Sequence, residues 1–152
     1  MATLGTFTAG QVLTAAELNA IGTWTAFTPT WTNLTVGDGT LVAEYCAVNE
    51  LVFWRVLLSF GSTTSISGAV SIDYPVPADN SFLGSVGGQV YFDDQSGADY
   101  FGTLYRNSTT TATVRAFSLG TTYLASTTIT ATVPFTWASG DDLVIEDWYK
   151  PA

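Results

Sequence analysis

Asp93, Asp94 and Asp99, spaced as DDQSGAD, are the side chains of this sequence best grouped for chemistry. Three carboxylates around one predicted hairpin tip would offer a calcium ion the hard oxygen ligands it takes. The spacing is not the EF-hand pattern DxDxDG with its distant glutamate, and Asp in turns also serves its own backbone. A solvated turn is therefore the plainer expectation. Other catalytic material is scarce. The 152 residues contain no histidine, which removes Ser-His-Asp and Cys-His catalysis, the usual zinc sites and the commonest general base together. The thirteen Asp and Glu residues offer many carboxylate pairs of the kind a glycosidase needs. Most of them, such as Asp38, Asp79, Asp94, Asp141 and Asp142, lie in turn sequences, so the pairs single out no site. Neither GxxxxGK[ST] nor a helix-opening GxGxxG occurs, and no cofactor is implied. We expect no enzyme, no resident metal and no cofactor.

Aromatic residues supply a second kind of chemistry. With five Trp and seven Tyr, the chain has rings that could stack on pyranose faces. Tyr91, Tyr100, Tyr105 and Tyr123, on strands rich in Thr and Gly, are the candidates. A carbohydrate-binding or host-receptor-binding module would present two or more exposed rings on a concave surface. Aromatics also fill the cores of β proteins and pair across strands, which accounts for most of them without a ligand.

The charge balance narrows the partners. Thirteen acids against Arg55, Arg106, Arg115 and Lys150 give a net charge of −9. Nucleic acid is disfavoured, because binding a polyanion requires Lys and Arg to replace its counterions. An anionic membrane surface is disfavoured for the same reason, and no run of about 18 apolar residues is present to span a bilayer. The start MATLG has neither a basic region nor an apolar segment, so we expect no secretory signal and synthesis in a cytoplasm. The single cysteine, Cys46, sits in an apolar run and reads as a small buried side chain.

The elements that position these residues read as β-strands. The longest apolar run is Leu41 to Phe60, LVAEYCAVNELVFWRVLLSF. Taking Asn49 and Glu50 as a two-residue turn pairs Ala47 with Val52, Tyr45 with Trp54, Ala43 with Val56 and Leu41 with Leu58 on one face. The other face then pairs Val48 with Leu51, Cys46 with Phe53, Glu44 with Arg55 and Val42 with Leu57. Both faces are apolar apart from one acid opposite one base, so we expect both to be covered, the second by an N-terminal arm or another subunit.

Around this hairpin the chain is punctuated by turns. Thr14 with Glu17, and Leu13 with Leu18, predict a capped helix of about two turns ending at Gly22. So short a helix persists only if Leu18 and Ile21 dock on something. Thr23 to Thr35 alternates aromatics with threonine, and Pro29 suits an edge strand or extended segment rather than a central strand. Further strands are predicted at Ala69 to Asp73, Gly84 to Asp93, Ala98 to Arg106, Thr110 to Leu119, Thr121 to Pro134 and Leu143 to Tyr149. Gly61 to Gly68 reads as a polar loop. The interval of about 8 to 12 residues predicts an all-β fold, an antiparallel, jelly-roll-like β-sandwich with a short N-terminal helix. We divide the chain into an arm, 1–35, and a sandwich domain, 36–152. Contacts with partners are expected at Leu13, Leu18, Ile21, Trp24, Phe27, Glu44, Phe53, Arg55 and Leu57.

The segment TAGQVLTAAELNAIGTWTAFTPTW resembles the start of structural proteins of tailed bacteriophages, particularly those of actinobacteria. In that group an AGxxLTAxxLN helix precedes an aromatic, Thr-rich β domain. The matching residues are Ala9-Gly10, Leu13-Thr14-Ala15 and Leu18-Asn19, then Trp24 and Phe27-Thr28-Pro29. Gly37-Asp38-Gly39-Thr40, Tyr45 and Tyr74-Pro75-Val76 are similar to the same group. Trp137 with Gly140-Asp141 and the closing strand resembles the end of C1q- or TNF-like jelly rolls, which form compact trimers. The resemblance implies a virion component, namely a minor tail protein, head fibre or capsid decoration protein. It implies a homo-oligomer, a trimer by this analogy, attached to other virion proteins through its N-terminal segment. A host cell-surface glycan is a further implied partner.

Overall fold

A computed structural model describes residues 10, 12, 14–15, 21–48, 50–120 and 122–152. Ten strands occur among them: β1 (Thr25–Ala26), β2 (Trp31–Thr35), β3 (Thr40–Val48), β4 (Leu51–Ser59), β5 (Ser65–Asp73), β6 (Val86–Asp93), β7 (Tyr100–Arg106), β8 (Thr111–Leu119), β9 (Leu124–Thr128) and β10 (Asp142–Tyr149). Every named pair is antiparallel. The order across the sheet is β1-β3-β4-β10-β6-β7-β8-β5-β2, with β9 pairing β8 off this path. The fold is all-β, antiparallel and sandwich-like. Among the described residues no helix is long and apolar enough to cross a membrane.

Alternation of side chains explains how one sheet encloses a core. On β4, Val52, Trp54, Val56 and Leu58 point inward and are buried, while Leu51, Phe53, Arg55 and Leu57 point outward. The same alternation puts Leu143, Ile145 and Tyr149 of β10 inside, with Val90 and Phe92 of β6, Leu104 of β7, Val114 of β8 and Ile72 of β5. All of these belong to one cluster. A sheet whose inner side chains all meet must curl. Its two ends are correspondingly close in chain terms, for β2 at one end leads through Val36–Gly39 into β3 near the other.

That link is held by Asp38. Its carboxylate accepts hydrogen bonds from the Ser62 hydroxyl at 2.7 Å and from the Thr63 amide at 2.8 Å. These donors, with the Thr63 hydroxyl, stabilise the ionised form and hold its pKa well below the usual carboxylate range. Gly61 is required opposite, since a β-carbon there would collide with Asp38.

The predicted register of the central hairpin is the one observed, from Val48 opposite Leu51 to Leu41 opposite Leu58. Its inner face is buried, whereas its outer face is open in the single chain, with Val42 54% and Leu57 38% exposed. Apolar composition treats both faces alike, but among the described residues only the inner one has a covering layer. Cys46 is the exception on the outer face. It is buried, with Gly22 lying across it and Val48. β1 and β2, flanking Pro29, occupy the two ends of the sheet, as the proline demands.

Two boundaries differ from expectation. β5 begins at Ser65 rather than Ala69, because β2 offers it a ladder through Leu34–Ile66 and Thr35–Ser65. The strand foreseen from Thr121 to Pro134 ends at Thr128. Ile129 is buried and bonds Val114 and Val70 through its backbone, and the chain then turns so that Thr130 faces Val133. Ala131, which strict alternation with Ile129 and Val133 would turn inward, is exposed. The helix expected between Thr14 and Gly22 rests on residues 16–20, and with Leu13 and Leu18 it lies outside the described residues.

Candidate functional site

The site is created by an irregularity in β6. Gly87 pairs with Leu104 and Val90 with Gly102, so β6 carries one residue more than β7 across this interval. Gly88, at φ 68°, takes the left-handed conformation that a glycine bulge uses. It must also be glycine for space, because a β-carbon there would lie 2.8 Å from Cβ of Asp147. The hydroxyl of Thr103 donates to the Gly87 carbonyl at 2.9 Å, steadying the bulge. The ladder between β6 and β10 stops at Gln89–Glu146, while β10 continues against β4 as far as Tyr149–Val52. A cleft of about 490 Å³ opens there, lined by Trp24, Phe53, Trp54, Arg55, Gly88, Gln89, Glu146, Asp147 and Trp148.

Three aromatic side chains flank this cleft with free surface. Trp148 is 61%, Trp24 43% and Phe53 40% exposed. Trp24 reaches it because the segment before β1 turns onto the outer face, and the Arg55 guanidinium lies 4.8 Å from the centre of its ring. Arg55 is fixed from the other side by Glu44, with Nε donating to Oε1 at 2.6 Å. Arg55 stands between Glu44 and Glu146 in one cross-strand row. The Glu44–Arg55 pair is half-exposed in the single chain, where such a pair contributes about 0–1 kcal/mol.

Beneath the cleft is a buried polar cluster. Asp147 accepts from Nη2 of Arg106 at 3.1 and 3.3 Å, and the same nitrogen donates to the Trp148 carbonyl at 2.8 Å. Burial pushes the Asp147 carboxyl above its ordinary range, with Arg106 opposing that shift. Tyr149 donates to the Val76 carbonyl at 2.6 Å, and burial pushes its phenol and that of Tyr74 upward. Nε1 of Trp54, Nε of Arg106 and the Tyr74 hydroxyl are buried without hydrogen-bond partners. The Trp54 nitrogen lies near the Asp147 carboxyl but outside hydrogen-bond geometry.

A second feature crosses the outer face. Cross-strand pairing aligns Val42, Leu57, Val144, Tyr91 and Phe101 in one row over β3, β4, β10, β6 and β7. Tyr91 and Phe101 touch with ring centres 5.6 Å apart, and Phe101 is 63% exposed. The row carries no charge. The row of Glu44, Arg55 and Glu146 separates it from the cleft.

The structure thus brings Trp24, Phe53 and Arg55 together at the cleft, with Glu44 bracing Arg55, and puts Leu57 in the apolar row. Ile21 is exposed, and Phe27 packs inward against Tyr45 and Trp54. Gly88, Gln89, Glu146 and Trp148 were not foreseen. The pair Gly87-Gly88 inside a predicted strand was the available signal for a bulge. None of Tyr91, Tyr100, Tyr105 and Tyr123 lines the cleft. Tyr100 packs on Phe135, and Tyr105 lies under Arg115.

At the tip between β6 and β7, Asp94 accepts from the Ser96 amide at 2.9 Å and Gln95 Nε2 donates to Asp93 at 2.8 Å. Lost hydration, then Asp99 and Asp142, push the Asp93 carboxyl above its ordinary range. Among the described residues no group of three His, Cys, Asp or Glu side chains is arranged to hold a metal ion.

No family model matches the chain, and neither a curated protein nor a solved structure shows significant similarity to it.

Proposed function

We propose that this chain is a non-enzymatic structural subunit of a bacteriophage virion that assembles with further copies of itself, a trimer being the expected state. The observation that carries the assembly is the uncharged row Val42, Leu57, Val144, Tyr91 and Phe101 across five strands, exposed at Val42, Leu57 and Phe101, in a chain of net charge −9. Contiguous apolar surface of this kind is what protein interfaces cover. The virion reading is supported by the resemblance of residues 8–31 to phage structural proteins. It places the N-terminal segment against the particle, as a minor tail, head fibre or decoration protein, and the β domain outward.

Native mass spectrometry of the full chain is expected to show an oligomer at micromolar concentration. Leu57→Glu combined with Phe101→Glu brings like charges together across the contact, and dissociation should strengthen at least about a hundredfold. A parent chain that is strictly monomeric would overturn the assembly reading. Deleting residues 1–22 is expected to abolish incorporation into particles while leaving the β domain folded by circular dichroism. Normal incorporation of the truncated chain would remove the anchoring role.

A further inference from the structure

We infer that the cleft at the β6 bulge is a binding site for a neutral saccharide. Three partly exposed rings, Trp24, Phe53 and Trp148, flank a concavity of about 490 Å³, within the range of small-molecule sites. Sugar rings present C–H faces that pack on aromatic surfaces, and hydroxyls that need donors and acceptors beside them. Gln89, Glu146 and Arg55 line the same cleft and provide both. Trp54 closes the floor of the cleft, 1% exposed, with its indole nitrogen toward the Asp147 carboxyl.

Charge selects the class of sugar. Glu44 matches Arg55 and Arg106 matches Asp147, which leaves Glu146 as the unmatched charge at the rim. An acidic sugar or a phosphate would meet that carboxylate within a protein of net charge −9. A simple organic cation would compete with Arg55, which already covers a face of Trp24. A neutral saccharide meets neither obstacle. The inference does not rest on assembly through the apolar row, from which the charged row divides the cleft.

The test is titration calorimetry with tryptophan fluorescence on the full chain. The probes are cellobiose, maltose, lactose and N,N′-diacetylchitobiose, with sialyllactose as an anionic control and choline as a cationic one. At least one neutral disaccharide is expected to bind saturably, and sialyllactose at least about tenfold more weakly than lactose if lactose is bound. Trp148→Ala, at an exposed position, should weaken binding about tenfold or more while the melting temperature and oligomeric state stay unchanged. Leu57→Glu should leave binding intact, so loss of assembly and loss of the ligand are separable. Absence of saturable binding by every neutral probe would overturn the inference. So would undiminished binding by Trp148→Ala, or binding of choline alone.

Discussion

Replacing Arg106 by methionine is expected to destabilise the fold by about 3–5 kcal/mol, the usual consequence of leaving one member of a buried ion pair alone. Asp147 is 1% and Arg106 14% exposed in their side chains, so water cannot substitute for the lost guanidinium. The Trp148 carbonyl loses its donor from the same nitrogen. Urea unfolding at several pH values measures the effect and adds a sign. Burial already raises the affinity of Asp147 for a proton, and Arg106 restrains that rise. Without the arginine the folded value climbs further. A carboxyl whose folded value is raised contributes stability that is fully present below the unfolded value of about 3.9 and lost as pH rises through the folded one. The deficit of Arg106→Met should therefore be smaller in acid and grow as pH rises through the raised Asp147 value. Adding Asp147→Leu removes the stranded charge and should recover most of the loss. A single variant losing less than about 1 kcal/mol would show that the pair does not hold this end of the sheet.

Gly102→Ala is expected to cost at least the 1–3 kcal/mol typical of overpacking, and to reach the upper part of that range or beyond. Gly102 pairs with Val90 on one side and Ala116 on the other, in the strand between β6 and β8. A β-carbon there would collide with the Arg115 carbonyl oxygen and lie 2.8 Å from the ring of Phe92. The ring can turn, but the carbonyl belongs to the ladder and cannot move without separating β7 from β8. Urea unfolding gives the magnitude. Amide hydrogen exchange at Val114 and Ala116 should show the ladder opening locally. Unchanged stability would mean that the two strands are less closely joined than their pairing requires.

The central hairpin could be read residue by residue because a two-residue turn and period-two alternation determine every partner between Leu41 and Leu58. Local chemistry was sufficient there. The fate of its outer face was not local. Whether Val42 and Leu57 meet another layer depends on what else the chain places over them, and apolar composition is the same in either case. The cleft was harder still. It depends on β10 entering beside β6, some fifty residues away in sequence, and on one extra residue at Gly88 that stops their ladder. Trp24, Phe53 and Arg55 were legible as outward side chains. Trp148 was not singled out, because its exposure follows from a neighbour that ends early. The run from Thr128 to Val133 alternates perfectly in sequence and yet turns, since a strand needs a partner as well as a pattern.

The position of β10 also orders events in time. It is the last of the ten strands in the chain, yet it lies between β4 and β6 and supplies Leu143, Ile145 and Tyr149 to the core. Synthesis proceeds at about 5–20 residues per second, so β4 and β6 must wait several seconds after they are made with facing edges unpaired. Such edges invite pairing with other chains. The nascent protein is therefore most vulnerable to misassembly just before residues 142–149 arrive. Their arrival converts two open half-sheets into one.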